Sequence, residues 1–182
     1  MPEIETARLR LRPFSPDDLD NLYRRVYSDP AVMRFLPGGV PRSREETAAV
    51  LESFINHWEE HGFGVWAVWL REGGDFIGQC GLQFIPHTDV VELLYAFGPE
   101  YWGNGYATEA THASLRYGFE EHHLGWVVAL SHPDNFASRR VMLKIGMRFG
   151  ETTNRYYDTE LVTYFIPRGG FDPASHHYEL RG

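Results

Sequence analysis

Basic and apolar residues alternate through Thr6-Ala7-Arg8-Leu9-Arg10-Leu11-Arg12-Pro13-Phe14, the period of a strand with Leu9 and Leu11 facing inward. The period then changes. Ser15-Pro16-Asp17-Asp18 offers a capping serine, a proline at the first helical position and acids in the first turn. It predicts a helix carrying Leu19, Leu22, Tyr23 and Val26 that ends near Asp29-Pro30. Residues 31–41, with Pro37-Gly38-Gly39, read as a loop. Ser43-Arg44-Glu45-Glu46 is a capping box, and the helix after it sets Val50, Phe54 and His57 on one stripe before Gly62 stops it. Residues 64–70 and 76–84 flank a five-residue connection with two glycines, which predicts an antiparallel hairpin.

The next thirty residues organise the chain. A β-branched and aromatic run at 90–97 predicts a strand with Val91, Leu93, Tyr95 and Phe97 on one face and Val90, Glu92, Leu94 and Ala96 on the other. A glycine-rich corner follows, Tyr101-Trp102-Gly103-Asn104-Gly105-Tyr106-Ala107, and then a helix with Thr111, Leu115 and Phe119 four apart. Residues 126–131 predict another buried strand, and His132-Pro133-Asp134 turns into a helix at 135–145 that Gly146 closes. Residues 155–157 and 159–166 form the expected last hairpin. From Arg168 the tail is rich in Gly, Pro and His and is expected to be loosely held. The expected organisation is one α+β domain over 1–168, a mixed and mostly antiparallel sheet flanked by helices, with a tail at 169–182.

Composition narrows the class. The 182 residues are 43% hydrophobic and 15% aromatic, enough for one packed core and unlike a disordered chain. Apolar runs are too short to span a bilayer, and Met1-Pro2-Glu3-Ile4-Glu5 lacks the segments of a signal peptide. A single cysteine, Cys80, excludes an intramolecular disulfide and points to a reducing, cytoplasmic location. A net charge of −8 argues against a nucleic-acid surface and mildly favours cationic partners, amines included.

Glycines before a helix start leave unpaired N–H groups at the positive end of the dipole, which suits a phosphate. A P-loop would need Gly-Lys-Ser/Thr where Gly105 is followed by Tyr106, and a dinucleotide fingerprint would need glycine at Thr108. Residues 101–110 instead resemble, throughout, the pyrophosphate loop of the GCN5-related N-acetyltransferases in their ribosomal-protein-alanine (RimJ/RimL-like) branch. Trp102 stands where the wider superfamily has Gln or Arg, as is usual in that branch. Thr6-x-Arg8-Leu9-x-Leu11-Arg12-Pro13 is a second, independent resemblance. Asn135-x-x-Ser138-x-Arg140-x-x-x-Lys144-x-Gly146 is a third, with Met147 in place of the family's Phe.

The resemblance implies an acetyl-CoA-dependent N-acetyltransferase whose central strand splays from the strand at 126–131 to admit the thioester arm. It implies cofactor contacts from Leu94, Tyr95, Ala96, Phe97, Trp102, Gly103, Asn104, Gly105, Tyr106, Ala107, Thr108, Asn135 and Ser138. Asn135 would hold the pantetheine and Ser138 would donate a proton to the departing thiolate, although each also reads as an ordinary helix-start residue. Glu92 is a carboxylate on a central strand. It would take the acceptor's proton directly or through water, or else pair with an arginine or lie at a solvated edge. Acceptor-site candidates are Tyr27, Arg34, Phe35, Trp66 and Trp69, against a bland reading as core or scattered surface residues. The acceptor would be a primary amine on a small molecule or a protein N-terminus, with no nucleic-acid or membrane partner, and relatives are often homodimers.

Two metal-like patterns remain. His57-Trp58-Glu59-Glu60-His61 matches an inverted zinc-peptidase motif, and Glu109-x-x-His112 matches half of a di-iron pair. A zinc hydrolase would leave the acetyltransferase signatures unexplained, so no resident metal is expected. A non-catalytic acyl-CoA binder of the same fold is the nearer rival.

Overall fold

The computed structural model describes residues 2–182; Met1, the first residue of the expected domain, lies outside the described residues. In chain order the elements are β1 (Glu3–Glu5), β2 (Leu9–Pro13), α1 (Leu19–Leu22), α2 (Pro30–Met33), α3 (Arg44–His61), β3 (Val65–Leu70), β4 (Phe76–Phe84) and β5 (Val91–Phe97). Then come α4 (Tyr106–Glu120), β6 (Trp126–Ser131), α5 (Phe136–Lys144), β7 (Arg148–Thr153), β8 (Leu161–Pro167) and β9 (Glu179–Arg181). The strands join in one sheet ordered β7-β8-β6-β5-β4-β3-β2-β1-β9. Every neighbouring pair is antiparallel except β5 and β6.

Side-chain alternation decides what covers each face. Leu9, Leu11, Trp66, Val68, Leu82, Leu93 and Phe97 point into a core shared with α4 and α5. Phe14, Leu22, Val26, Phe54, Val65, Ala67 and Ala96 point into a second core under α1, α2 and α3. The two-faced reading of the central strand therefore holds in space. A fully buried leucine such as Leu9 or Leu11 contributes about 1.5–3 kcal/mol. The capping box forms: the Ser43 N–H donates to Glu46 Oε2 at 2.7 Å and the Glu46 N–H to Ser43 Oγ at 3.1 Å. Gly62 ends α3 in the left-handed conformation.

Five expectations are corrected. The helix after Ser15 is broken into a 3-10 turn (Pro16–Asp18), α1 and a π-helical turn (Tyr23–Tyr27). Residues 30–33 are helical rather than loop, because Asp29 Oδ1 caps the amides of Ala31 and Val32 and Pro30 takes the first position. The buried stripe of α3 is Thr47, Leu51, Phe54 and Trp58, so Val50 and His57 sit at its flank; Trp58 Nε1 fixes the last turn by donating to Val65 O at 2.9 Å. The first strand of the last hairpin is Arg148–Thr153, nearly all exposed, so it carries no apolar alternation to read. Residues 155–157 belong to the connection. The tail is docked: β9 pairs with β1, His112 Nε2 bonds Asp172 O at 2.8 Å, and Phe171, Tyr178 and Leu180 pack on the α4 core. Those three apolar residues are too widely spaced to give a period.

Candidate active site

β5 pairs with β6 only through Glu92↔Val128 and Leu93↔Ala129. The strand continues to Phe97, so its last four residues have no paired strand on that side among the described residues. Gly98 N–H donates to Ile77 O and Ile85 N–H to Val90 O, which turns the even-numbered backbone groups of β5 toward β4. Those of Tyr95 and Phe97 therefore face the gap. The Phe97 carbonyl accepts from Trp102 Nε1 at 2.7 Å, and the other groups stay open to an extended ligand.

The corner after β5 is built for an anion. Gly103 (φ +78°) and Gly105 (φ +81°) take left-handed conformations, and Gly105 caps α4. Among the described residues the amides of 103–108 donate to no protein acceptor. Asn104 Nδ2 closes the turn onto the carbonyls of Tyr101 and Trp102 at 3.2 and 3.1 Å. The β1–β2 connection holds the turn from behind: Arg8 Nη1 donates to Asn104 O at 2.9 Å, and its guanidinium lies 4.6 Å from the Tyr106 ring centre. Arg8 is itself held by buried Glu109, which accepts from Arg8 Nε at 2.7 Å, the Arg8 N–H at 2.8 Å and Thr6 Oγ at 2.6 Å. Two of the sequence motifs thus meet in one network.

A groove of about 320 Å³ runs from this corner along β5, walled by α5 on one side and by Ala31, Val32, Phe35 and Leu36 on the other. It brings together Tyr95, Ala96, Phe97, Trp102, Gly103, Gly105, Tyr106, Ala107, Thr108, Asn135, Ser138 and Phe35. Asn104 shapes the corner without lining the groove, and Leu94 packs against the second core. Asn135 Oδ1 accepts the Ser138 N–H at 3.1 Å and so caps α5. Replacing Asn135 with alanine should cost about 1 kcal/mol, read as a fall of about 2–4 °C in a thermal melt. Ser138 Oγ lies 2.8 Å from the Tyr95 hydroxyl, whose pKa burial pushes well up, so the pair is neutral and holds its protons.

Glu92 is buried behind this groove. Its Oε1 accepts from Gln83 Nε2 at 3.0 Å and from the Tyr157 hydroxyl. Burial raises its pKa, and the two hydrogen bonds oppose that. It joins no ion pair among the described residues, so neither the arginine-paired nor the solvated-edge reading describes it. Tyr27 is buried on the same side, its hydroxyl beside Gln79 and its pKa pushed up by burial to about 12.

The remaining acceptor candidates do not converge. Arg34 is exposed and stacks on Phe35 at 5.0 Å. Trp66, 1% exposed, packs edge-on against Trp58 and Tyr117 behind the sheet; its inward alternation removes it from the site. Trp69 lies under Arg12 in a separate depression of about 410 Å³ on β2 and β3. The arginines there, Arg10, Arg12 and Arg71, are engaged by Glu3, Asp18 and Glu5.

The metal-like patterns are structural. His57 Nδ1 donates to Phe63 O at 2.8 Å and Nε2 accepts the Phe84 N–H at 3.1 Å, leaving no lone pair for zinc. No metal-ligating cluster occurs among the described residues, and Glu109 and His112 serve the loop and the tail. Sequence reasoning missed Tyr157, Gln79, Gln83 and the Arg8–Glu109 pair. Gln79 and Gln83 share the face of β4 opposite Glu92 and Ala96, so strand alternation could have found them; nothing local marks Tyr157.

Comparison with known proteins agrees with this geometry. Residues 8–148 match the family model described as an acetyltransferase (GNAT) domain. The chain is 38% identical over 159 residues to the Bacillus subtilis uncharacterized protein YkkB, covering 85% of this chain and 90% of that one. It is 32% identical over 167 residues to the FsC-acetyl coenzyme A-N(2)-transacetylase of Aspergillus fumigatus, covering 87% and 70%. An acetyltransferase crystal structure from Agrobacterium tumefaciens superposes with a TM-score of 0.80 at 28% identity, over 91% of this chain and 94% of that one. With an unpaired strand edge leading to an amide-lined corner, and with that match across most of its length, the chain belongs to the GNAT acetyltransferase family and is an N-acetyltransferase.

Proposed function

We propose that the protein moves an acetyl group from acetyl-CoA to a primary amine by direct attack in a ternary complex. The observation that carries this reading is the early end of the β5–β6 pairing, after Leu93. It leaves one open strand edge between an amide corner and a buried carboxylate. The residues fit the cofactor: the free amides of 103–108 suit a diphosphate, and the backbone groups of Tyr95 and Phe97 suit an extended arm. Acetyl-CoA would supply an activated acetyl thioester. Asn135 and Ser138 would hold the arm from α5, and within the 94–97 stretch the N–H groups of Tyr95 and Phe97, which face the gap, would stabilise the developing oxyanion. Ser138, bonded to Tyr95, would hand a proton to the departing sulfur, whose thiol pKa of about 8.5 makes assistance worthwhile. Glu92 would receive the proton of the acceptor ammonium.

The acceptor class is a primary amine, on a small molecule or at a protein N-terminus. The motif at 101–110 supports the RimJ/RimL-like branch, and the lone buried Cys80 supports a cytoplasmic location. No helix among the described residues is long and apolar enough to cross a membrane.

The test is calorimetric titration with acetyl-CoA, followed by an amine panel monitored through free thiol release. Binding with turnover on at least one amine is expected. Binding with no turnover on any amine would favour the acyl-CoA binder, and no binding would end both readings.

A further inference from the structure

Glu92 is 4% exposed and does not line the groove in which the acceptor would react. A base so placed needs an intermediary. Tyr157, which also lies outside the groove lining, is the group bonded to it that can lose and regain a proton: it comes from the β7–β8 connection, 65 residues away in sequence, and its hydroxyl donates to Glu92 Oε1. The connection is bent to deliver it. Tyr157 (φ +55°) and Asp158 (φ +50°) are consecutive non-glycine residues in the left-handed region, a conformation that L-residues hold only when their surroundings enforce it. Gln83 Nε2 donates to the same Glu92 oxygen at 3.0 Å. Tyr27 lies beside Gln79, the register partner of groove-lining Ala96, and the buried Gln79 Oε1 has no hydrogen-bond partner among the described residues. Tyr157 is only partly buried, so the line from Glu92 through its phenol connects the enclosed carboxylate with accessible surface.

We propose, resting on the acetyltransferase reading above, that Tyr157 is the proton relay between the acceptor amine and Glu92. The ammonium proton passes to the Tyr157 oxygen as the phenolic proton passes to Glu92 Oε1. This leaves a neutral amine, a neutral phenol and a protonated Glu92, which later returns its proton to solvent. The freed amine then attacks the thioester: the C–N bond forms as the C–S bond breaks, the sulfur leaves as the thiol on taking the Ser138 hydroxyl proton, and the proton shed by the acylated nitrogen returns to Ser138 directly or through water. The groups facing this line are Glu92 and Tyr157, Tyr27 with Arg42 stacked on its ring at 5.3 Å, and the neutral Gln79 and Gln83. Burial and the neighbouring Glu92 hold the Tyr157 phenol protonated across the working range. The hydroxyl therefore always has a proton to pass on.

The test is the pH–rate profile of Tyr157→Phe, at saturating acetyl-CoA, on amines of differing basicity. Relay predicts a kcat about 10–100-fold lower near pH 7, with KM for acetyl-CoA unchanged. The loss should shrink as pH rises and the amine deprotonates unaided. It should also be smaller for an α-amine, with pKa about 8, than for a lysine-like amine at about 10.4. Tyr157→His, which keeps a transferable proton, should restore part of kcat. An unchanged kcat, or a loss equal at every pH and for every amine, would overturn the relay. Glu92→Gln separates the two levels of the argument. If it is inactive while Tyr157→Phe is fully active, only the relay falls; if it is fully active, the base itself falls.

Discussion

Replacing Glu109 with alanine is expected to lower both the stability of the fold and its affinity for coenzyme A. Glu109 is 5% exposed and accepts from Thr6 Oγ, the Arg8 N–H and Arg8 Nε, with Arg8 Nη2 also at 2.7 Å. Removing one member of such a pair strands the other's hydrogen-bonding groups, a loss of about 3–5 kcal/mol when both charges are buried. The Arg8 side chain is 47% exposed and can recover water, so the expected loss is smaller, about 2–3 kcal/mol. In a chain of this size that is a fall of roughly 4–12 °C in Tm. The functional effect follows from Arg8 Nη1, which would no longer be aimed at the Asn104 carbonyl. Without that tether the glycine corner gains conformations in which its amides diverge, and ordering them is charged against binding. Calorimetry should show at least a tenfold weaker coenzyme A affinity at a temperature where the variant is folded. Arg44→Ala is the control: its pair with Asp20 is about 60% exposed on both sides, and the melt should move by about 0.5 kcal/mol or less. Equal melts for the two variants would show that the corner stands without the network.

Much of this arrangement was legible because it is local. The strand–corner–helix at 90–119 combines a period of two, two glycines and a period near four, and each signal names its own element. Even the division of β5 between two cores, Leu93 and Phe97 against Ala96, is a consequence of alternation alone. What the chain does not display locally is partnership at long range. Glu92 reads as a lone acid on a strand, and only folding shows that its partners are Gln83 on the next strand and Tyr157 in a loop beyond two further strands. Trp66 and Trp69 looked alike as candidates. One packs into the core under α4 and the other, on the opposite face, lies partly exposed at the flank of the second core beside Phe76, a difference set by strand alternation. The exposed strand β7 and the docked tail escaped for a related reason: their pairing is made by backbone bonds and a few scattered apolar contacts, which leave no period in the side chains.

Glu92→Gln should abolish most turnover while making the protein more stable, and the two effects share one cause. As a base reached through Tyr157, Glu92 must be ionised, and its loss should lower kcat about 10²–10⁴-fold with little change in acetyl-CoA binding. As a buried acid with a raised pKa, it also opposes folding whenever it is ionised. The sign is fixed by linkage. The folded state holds this proton more tightly than the unfolded chain, so the site's contribution is most favourable below the unfolded pKa, about 4.3. It declines as pH rises toward the raised folded value, and above that the penalty is complete. Glutamine keeps the shape and an oxygen for the Tyr157 hydroxyl, but carries no charge to bury. The Tm difference between Glu92→Gln and the parent should therefore be small near pH 4 and grow in the variant's favour toward pH 8. Each kcal/mol of relief would appear as about 2–4 °C. An inactive variant whose Tm advantage over the parent does not grow between pH 4 and pH 8 would mean that the carboxylate is already neutral when the acceptor arrives, and that another group removes the proton.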